Sequence, residues 1–160
     1  MATEIKNLSV YNKEDIPNAK NLRFGIVVSA WNDNITEQLF KGAFAALLDC
    51  GALEKNIIRW NVPGSYELVF GSKKLIKTQN VDAVIAIGSV IRGETSHFDY
   101  VCGATAQGIK DLNVKLDVPV IFCVLTDDTL QQSIDRSGGK HGNKGVEAAI
   151  AAIQMATLGK

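Results

Sequence analysis

From Leu22 onward the chain alternates short apolar runs with longer stretches of helical pattern, and this alternation restricts the fold more than any other feature. Residues 24–30, 56–62, 81–90 and 118–125 read as strands, the third being the strongest. Residue 34 onward reads as a helix, with Asn34 as N-cap and Glu37 three residues later completing a capping box. That helix ends near Cys50-Gly51, where the glycine suits a C-terminal stop. A Pro63-Gly64 turn leads into a helix through about residue 77, and residues 98–113 form another. Thr129 caps a short helix to Arg136, and an Ala-rich helix covers 145–158. Strand and helix alternating throughout implies a parallel sheet with helices on both faces.

The first helix is apolar on two sides. Ile35, Leu39 and Ala43 line one, and Phe40, Phe44 and Leu48 line another. A helix packed on one sheet needs a single stripe, so the second suggests burial by a partner subunit.

At 160 residues and 46% hydrophobic, the chain suits one domain with a substantial core. The reading is an N-terminal arm, 1–21, followed by a single domain, 22–160. The arm is polar with few apolar anchors; it is disordered by itself or ordered against a neighbouring subunit. Acidic and basic residues balance at 17 each, so no strong field favours nucleic acid or an anionic membrane. The N-terminus has no apolar signal-peptide core. No apolar stretch approaches the roughly 20 residues that span a bilayer. Cys50, Cys102 and Cys123 are scattered, which fits buried free thiols in a reducing compartment better than disulfides or a metal site. A cytoplasmic protein is expected.

In a parallel sheet, the turns at the carboxyl ends of the strands share one edge, and ligands bind there. These turns carry Trp31-Asn32-Asp33, Gly64-Ser65-Tyr66-Glu67, the stretch from Val90 to His97, and Thr126-Asp127-Asp128. Trp31 and Tyr66 either stack on a flat ring or close the ends of the core. Glu67 either accepts hydroxyl or ring N–H hydrogen bonds or simply opens a helix. Gly93-Glu94-Thr95 offers main-chain donors and a hydroxyl to an anion, without matching a nucleotide P-loop. Arg136 opens a Gly-rich basic stretch that is either a solvated loop or a phosphate clamp. His97, at a helix start, either exchanges protons or bonds nearby backbone. His141 has no second ligand at metal spacing.

Taken together, these segments resemble the lumazine synthase family. The matching residues are Phe24-Gly25-Ile26-Val27-Val28 with Trp31-Asn32, then Val62-Pro63-Gly64-Ser65-Tyr66-Glu67. Gly88 to Tyr100, reading GSVIRGETSHFDY, matches best, followed by Val118-Pro119-Val120-Ile121-Phe122. Arg136-Ser137-Gly138 with Gly142-Asn143-Lys144-Gly145 completes the set, all in family order over about residues 22–158. Trp31 and Tyr66 stand where many members carry Phe, and both keep a ring face.

The resemblance implies a three-layer αβα sandwich with a four-stranded parallel, flavodoxin-like sheet. It implies condensation of 5-amino-6-(D-ribitylamino)uracil with 3,4-dihydroxy-2-butanone 4-phosphate, the penultimate step of riboflavin biosynthesis, with no metal or organic cofactor. In that reading Trp31 stacks on the pyrimidine, while Ser65, Tyr66 and Glu67 hold the ribityl chain. Ser89, Val90 and Ile91 read the ring edge, and Phe122 comes from an adjacent subunit. Glu94 (through its amide), Thr95 and Arg136 bind the phosphate. His97 moves protons, and Lys144 assists. Family members form homo-oligomers, pentamers with the active site between subunits. Some pack into an icosahedral 60-subunit shell, which can associate with riboflavin synthase. The short link from Arg136 to Lys144 points to the shell.

Two rivals use the same turns. A non-catalytic flavin or pterin binder needs neither His97 nor the Thr95/Arg136 phosphate set. A flavodoxin-like signalling domain expects an acidic phosphoacceptor pocket or a Ser/Thr-rich loop after the first strand, where Trp31-Asn32-Asp33 stands.

Overall fold

The computed structural model describes residues 7–159. Its parallel sheet has the order β2-β1-β3-β4, from β1 (Phe24–Ser29), β2 (Ile57–Val62), β3 (Ala83–Ile91) and β4 (Val120–Asp127). All six residues of β1 and the first seven of β3 are buried. Continuous apolar runs of this kind belong to strands covered on both faces. Helices α1 (Asp33–Asp49) and α5 (Lys144–Ala156) cover one face, where Leu39, Leu47 and Ile153 meet Phe24, Ile26, Ile85 and Ile87. Helices α2 (Leu68–Thr78) and α3 (His97–Lys115) cover the other, where Leu68, Leu75, Ile109 and Leu112 meet Val27, Val84 and Val124. The three-layer α/β architecture is the one expected.

Helix α4 (Leu130–Arg136) starts at the expected cap. Thr129 accepts from Gln132 N, and the Gln132 side chain accepts from Thr129 N, a reciprocal capping box. The capping box expected at Asn34 and Glu37 does not form. Helix α1 begins at Asp33, and its N-cap is Asn32, in the left-handed region (φ 57°, ψ 49°) with no side-chain cap bond. Glu37 lies on the next turn and pairs with Arg59 of β2 through Arg59 Nη1 (3.0 Å) and Nη2. That guanidinium holds the Glu37 carboxyl below the usual range and sits 4.3 Å over the Phe40 ring. The second apolar stripe of α1 is thus partly covered by its own chain, with Phe40 stacked on Phe44 and Leu48 left exposed.

The Gly-rich stretch after α4 is not a free loop. It forms a small antiparallel ribbon, β5 (Ser137–Gly139) with β6 (Gly142–Asn143). The described arm is likewise held by its own chain. Leu8 N donates to His141 O (2.8 Å), and Tyr11 Oη and Lys13 Nζ both bond Asp49 (2.8 and 2.9 Å). Ala19 is fully buried. A cavity of about 460 Å³ separates the arm from α5. Of the cysteines, Cys50 and Cys123 are buried and Cys102 is partly exposed, and all three are free thiols. Burial pushes the Cys123 thiol up to about 12.

Close approach explains the glycine in the first turn of α5. At the start of α5, a Cβ on Gly145 would overlap the Leu39 carbonyl of α1. Gly145→Ala is expected to cost about 1–3 kcal/mol as an overpacked contact, read as a lower denaturant midpoint at fixed protein concentration. An unchanged midpoint would mean that α1 and α5 are not locked by this contact. Asn32→Ala should cost about 1–2 kcal/mol, because alanine pays the left-handed penalty without the asparagine hydrogen bond. Asn32→Gly should recover the backbone part; a glycine variant no more stable than the alanine one would refute the left-handed constraint.

Candidate active site

The strands deliver their turns to one edge, and hydrogen bonds tie each turn to the next. Ala30 N donates to Val62 O (2.8 Å) and Trp31 N to Pro63 O (3.1 Å), joining the turns after β1 and β2. Asn32 Nδ2 donates to Ser89 O (3.0 Å), joining the β1 turn to β3. Arg92 N donates to Asp127 O (3.0 Å), joining β3 to the end of β4. The edge is therefore one continuous strip.

β1 leaves the ladder early. Its last pairing with β3 is Val28 opposite Ile87, while β3 continues against β4 to Ile91 opposite Asp127. Beyond Ile87, the side of β3 that faces β1 has no strand partner, and Ser89 O is met there by Asn32 instead. Ser89, Val90 and Ile91 thus end the strand with β4 on one side and no strand on the other.

Side chains on this strip differ in exposure and in hydrogen bonding. Trp31 is 71% and Tyr66 58% exposed, so neither ring closes the core. Glu67 is the N-cap of α2, yet its exposed carboxylate makes no cap hydrogen bond. Ser65 and Ser89 are buried, and their hydroxyl oxygens have no hydrogen-bond partner among the described residues. Such buried hydroxyls are costly unless a ligand or water meets them. Gly88 makes room for Ser65: a Cβ there would lie 2.6 Å from Ser65 Oγ. Thr105 Oγ1 of α3 donates to Val101 O at 2.7 Å and lies 3.3 Å from the Ser65 carbonyl.

Glu94, Thr95 and His97 are exposed in the turn that opens α3. Thr95 Oγ1 accepts from His97 N (3.4 Å), while the imidazole makes no hydrogen bond among the described residues.

Three expected residues make no hydrogen bond to this group among the described residues. Phe122 lies in mid-β4 opposite Ala86, five residues and about 16 Å of strand before Asp127. It is 36% exposed at the sheet's outer strand. Arg136 ends α4 with Nη1 donating to Gln132 O (3.1 Å), and bonds neither Thr95 nor His97. Lys144 opens α5, paired with Glu147 (2.8 Å). Sequence reasoning gave no role to Asn32 or Arg92, both of which tie turns together. Asn32 in the turn after a strand was a visible signal, since asparagine tolerates the left-handed region. The Arg92 partner Asp128 is 36 positions away and gave none.

The 6,7-dimethyl-8-ribityllumazine synthase family profile matches residues 21–160. The chain is 71% identical to 6,7-dimethyl-8-ribityllumazine synthase of Flavobacterium johnsoniae, over 99% of this chain and 83% of that protein. It is 70% identical to the protein of that name from Flavobacterium psychrophilum, over 99% and 84%. Against the one from Christiangramia forsetii it is 63% identical, over 100% and 96%. The chain belongs to the 6,7-dimethyl-8-ribityllumazine synthase family, enzymes of riboflavin biosynthesis.

Proposed function

We propose that this strip condenses 5-amino-6-(D-ribitylamino)uracil with 3,4-dihydroxy-2-butanone 4-phosphate, giving 6,7-dimethyl-8-ribityllumazine, phosphate and water. The observation that carries the assignment of residues is their convergence on one hydrogen-bonded edge. Two exposed rings, two buried unpartnered serine hydroxyls, an open strand end and an exposed histidine all stand on it.

Trp31 stacks on the pyrimidine, and the open end of β3 at Ser89, Val90 and Ile91 reads its edge. Ser65, Tyr66 and Glu67 hold the ribityl chain, with the Glu67 carboxylate accepting hydroxyl hydrogen bonds. Thr95 and the Glu94 amide receive the phosphate. The amine and the ketone then lie side by side, and orientation alone lowers the barrier to imine formation. His97 takes and returns protons as the imine forms, phosphate departs and the ring closes. Fixed donors stabilise the leaving anion.

Phe122, Arg136 and Lys144 act on the site of a neighbouring subunit in a pentamer. The mid-strand place of Phe122 and the lack of any bond from Arg136 to Thr95 or His97 support this, as do the exposed Phe70, Tyr100 and Leu48. The pentamers close into an icosahedral shell. The protein works in the cytoplasm, where its free cysteines stay reduced; no helix among the described residues is long and apolar enough to cross a membrane.

Mixing both substrates with the protein should produce fluorescent lumazine above the slow uncatalysed rate. His97→Ala should slow turnover by roughly 10²–10⁴-fold, and Arg136→Ala should chiefly raise KM for the butanone phosphate. A His97 variant as fast as the parent at saturation would remove the proton-transfer role. No acceleration at all, with riboflavin still bound tightly, would leave a binding module. Light scattering at micromolar concentration should show the closed shell, and pentamers alone would overturn that assembly.

A further inference from the structure

Arg92 sits between β3 and the turn that carries Glu94, Thr95 and His97, and every donor of its fork used in the structure meets a carboxylate. Nε donates to Asp128 Oδ1 at 2.8 Å. Nη2 and Nη1 donate to Asp99 Oδ1 and Oδ2 at 3.1 and 3.4 Å. The guanidinium carbon lies 4.1 Å from the centroid of the Phe98 ring. Phe98 and Asp99 follow His97 in the first turn of α3, and Asp128 directly precedes Thr129, the N-cap of α4. The grip continues inward, since buried Asp127 accepts from Ser133 Oγ of α4 at 2.8 Å.

We propose that Arg92 is a positioning residue: it fixes the Thr95–His97 turn against the β4–α4 turn and so sets the geometry of the phosphate half of the site. This rests on the roles given above to Thr95 and His97. The alternative, Arg92 as a direct phosphate ligand, fits the charges poorly. One guanidinium already faces two carboxylates and a ring, and an arriving phosphate must displace Asp99 or Asp128 against their repulsion. The planar fork matters as much as the charge. It reaches Asp99 with two nitrogens and Asp128 with a third, which a lysine ammonium cannot reproduce. Arg92 remains 43% exposed, so its ion pairs add little to global stability and act on local order.

Steady-state kinetics with each substrate varied in turn, alongside denaturant midpoints, test this on the assembled wild type and the Arg92→Ala, Arg92→Lys and Asp128→Ala variants. KM for the butanone phosphate should rise on the order of tenfold in Arg92→Ala and Asp128→Ala, with Arg92→Lys between these and the parent. KM for the ribitylaminouracil and the midpoint should stay near wild type. Asp128→Ala separates the two readings, because releasing Arg92 from its carboxylate would leave KM unchanged or lower it if Arg92 held the phosphate directly. That result would overturn the positioning role, as would both KM values and the midpoint shifting together. His97→Ala and Arg136→Ala serve as controls. If they are impaired while the Arg92 and Asp128 variants are not, the positioning role alone falls. If they too behave as wild type, the site assignment falls with it.

Discussion

Strands β1 and β3 run through the middle of the sheet with both faces covered, so their main-chain groups can be satisfied only by neighbouring strands. That constraint confines any open backbone to the strand ends. At the carboxyl edge the two strands end unequally, β1 turning away after Ser29 while β3 continues to Ile91. The left-handed Asn32 makes the turn and returns a side-chain amide to Ser89 O. The candidate site therefore grows out of an uneven ladder: the exposed Trp31, the open strand end and the buried serines all lie around that step.

A second constraint orders the periphery. Helices α1 and α5 approach closely enough that Gly42 faces the Asn143 side chain and Gly145 faces the Leu39 carbonyl. Asn143 serves several elements from this crevice. Its Nδ2 donates to Gln38 O and Ser137 O, and its Oδ1 accepts from Gly145 N to cap α5. Its main-chain N–H donates to Ser9 Oγ of the arm. One asparagine thus holds the ribbon, the arm and two helices together. A glycine-rich basic stretch is ordered here for reasons that its composition does not reveal.

Local chemistry was legible where the deciding partners lie within a few residues. The Thr129–Gln132 capping box needs only its own turn, and it forms as the sequence indicates. The Asn34–Glu37 spacing has the same form but fails, because Asn32 starts the helix earlier and Arg59 of β2 claims Glu37. Strand β4 begins at Val120, two residues later than the apolar pattern suggested. Asn113 of α3 explains that start, bonding both Val120 N and Val120 O at 2.9 Å. The exposure of Trp31 and Tyr66 was equally beyond a sequence reading, since an aromatic after a strand can cap a core or stand free.

By itself the sequence determined the order of strands and helices, the two-sided burial of the central strands and the set of turns that carry polar groups. Hydrophobic period and turn chemistry are local, and they act before any tertiary contact forms. Only the tertiary structure decided how those groups are joined along one edge. Trp31, Ser65, Ser89 and His97 are far apart along the chain, and the order β2-β1-β3-β4 with its hydrogen-bonded turns brings them to one edge. The same register left Phe122 in mid-strand, opposite Ala86 and short of that edge. Distances between remote residues are set by strand register and helix packing, and no local pattern encodes them.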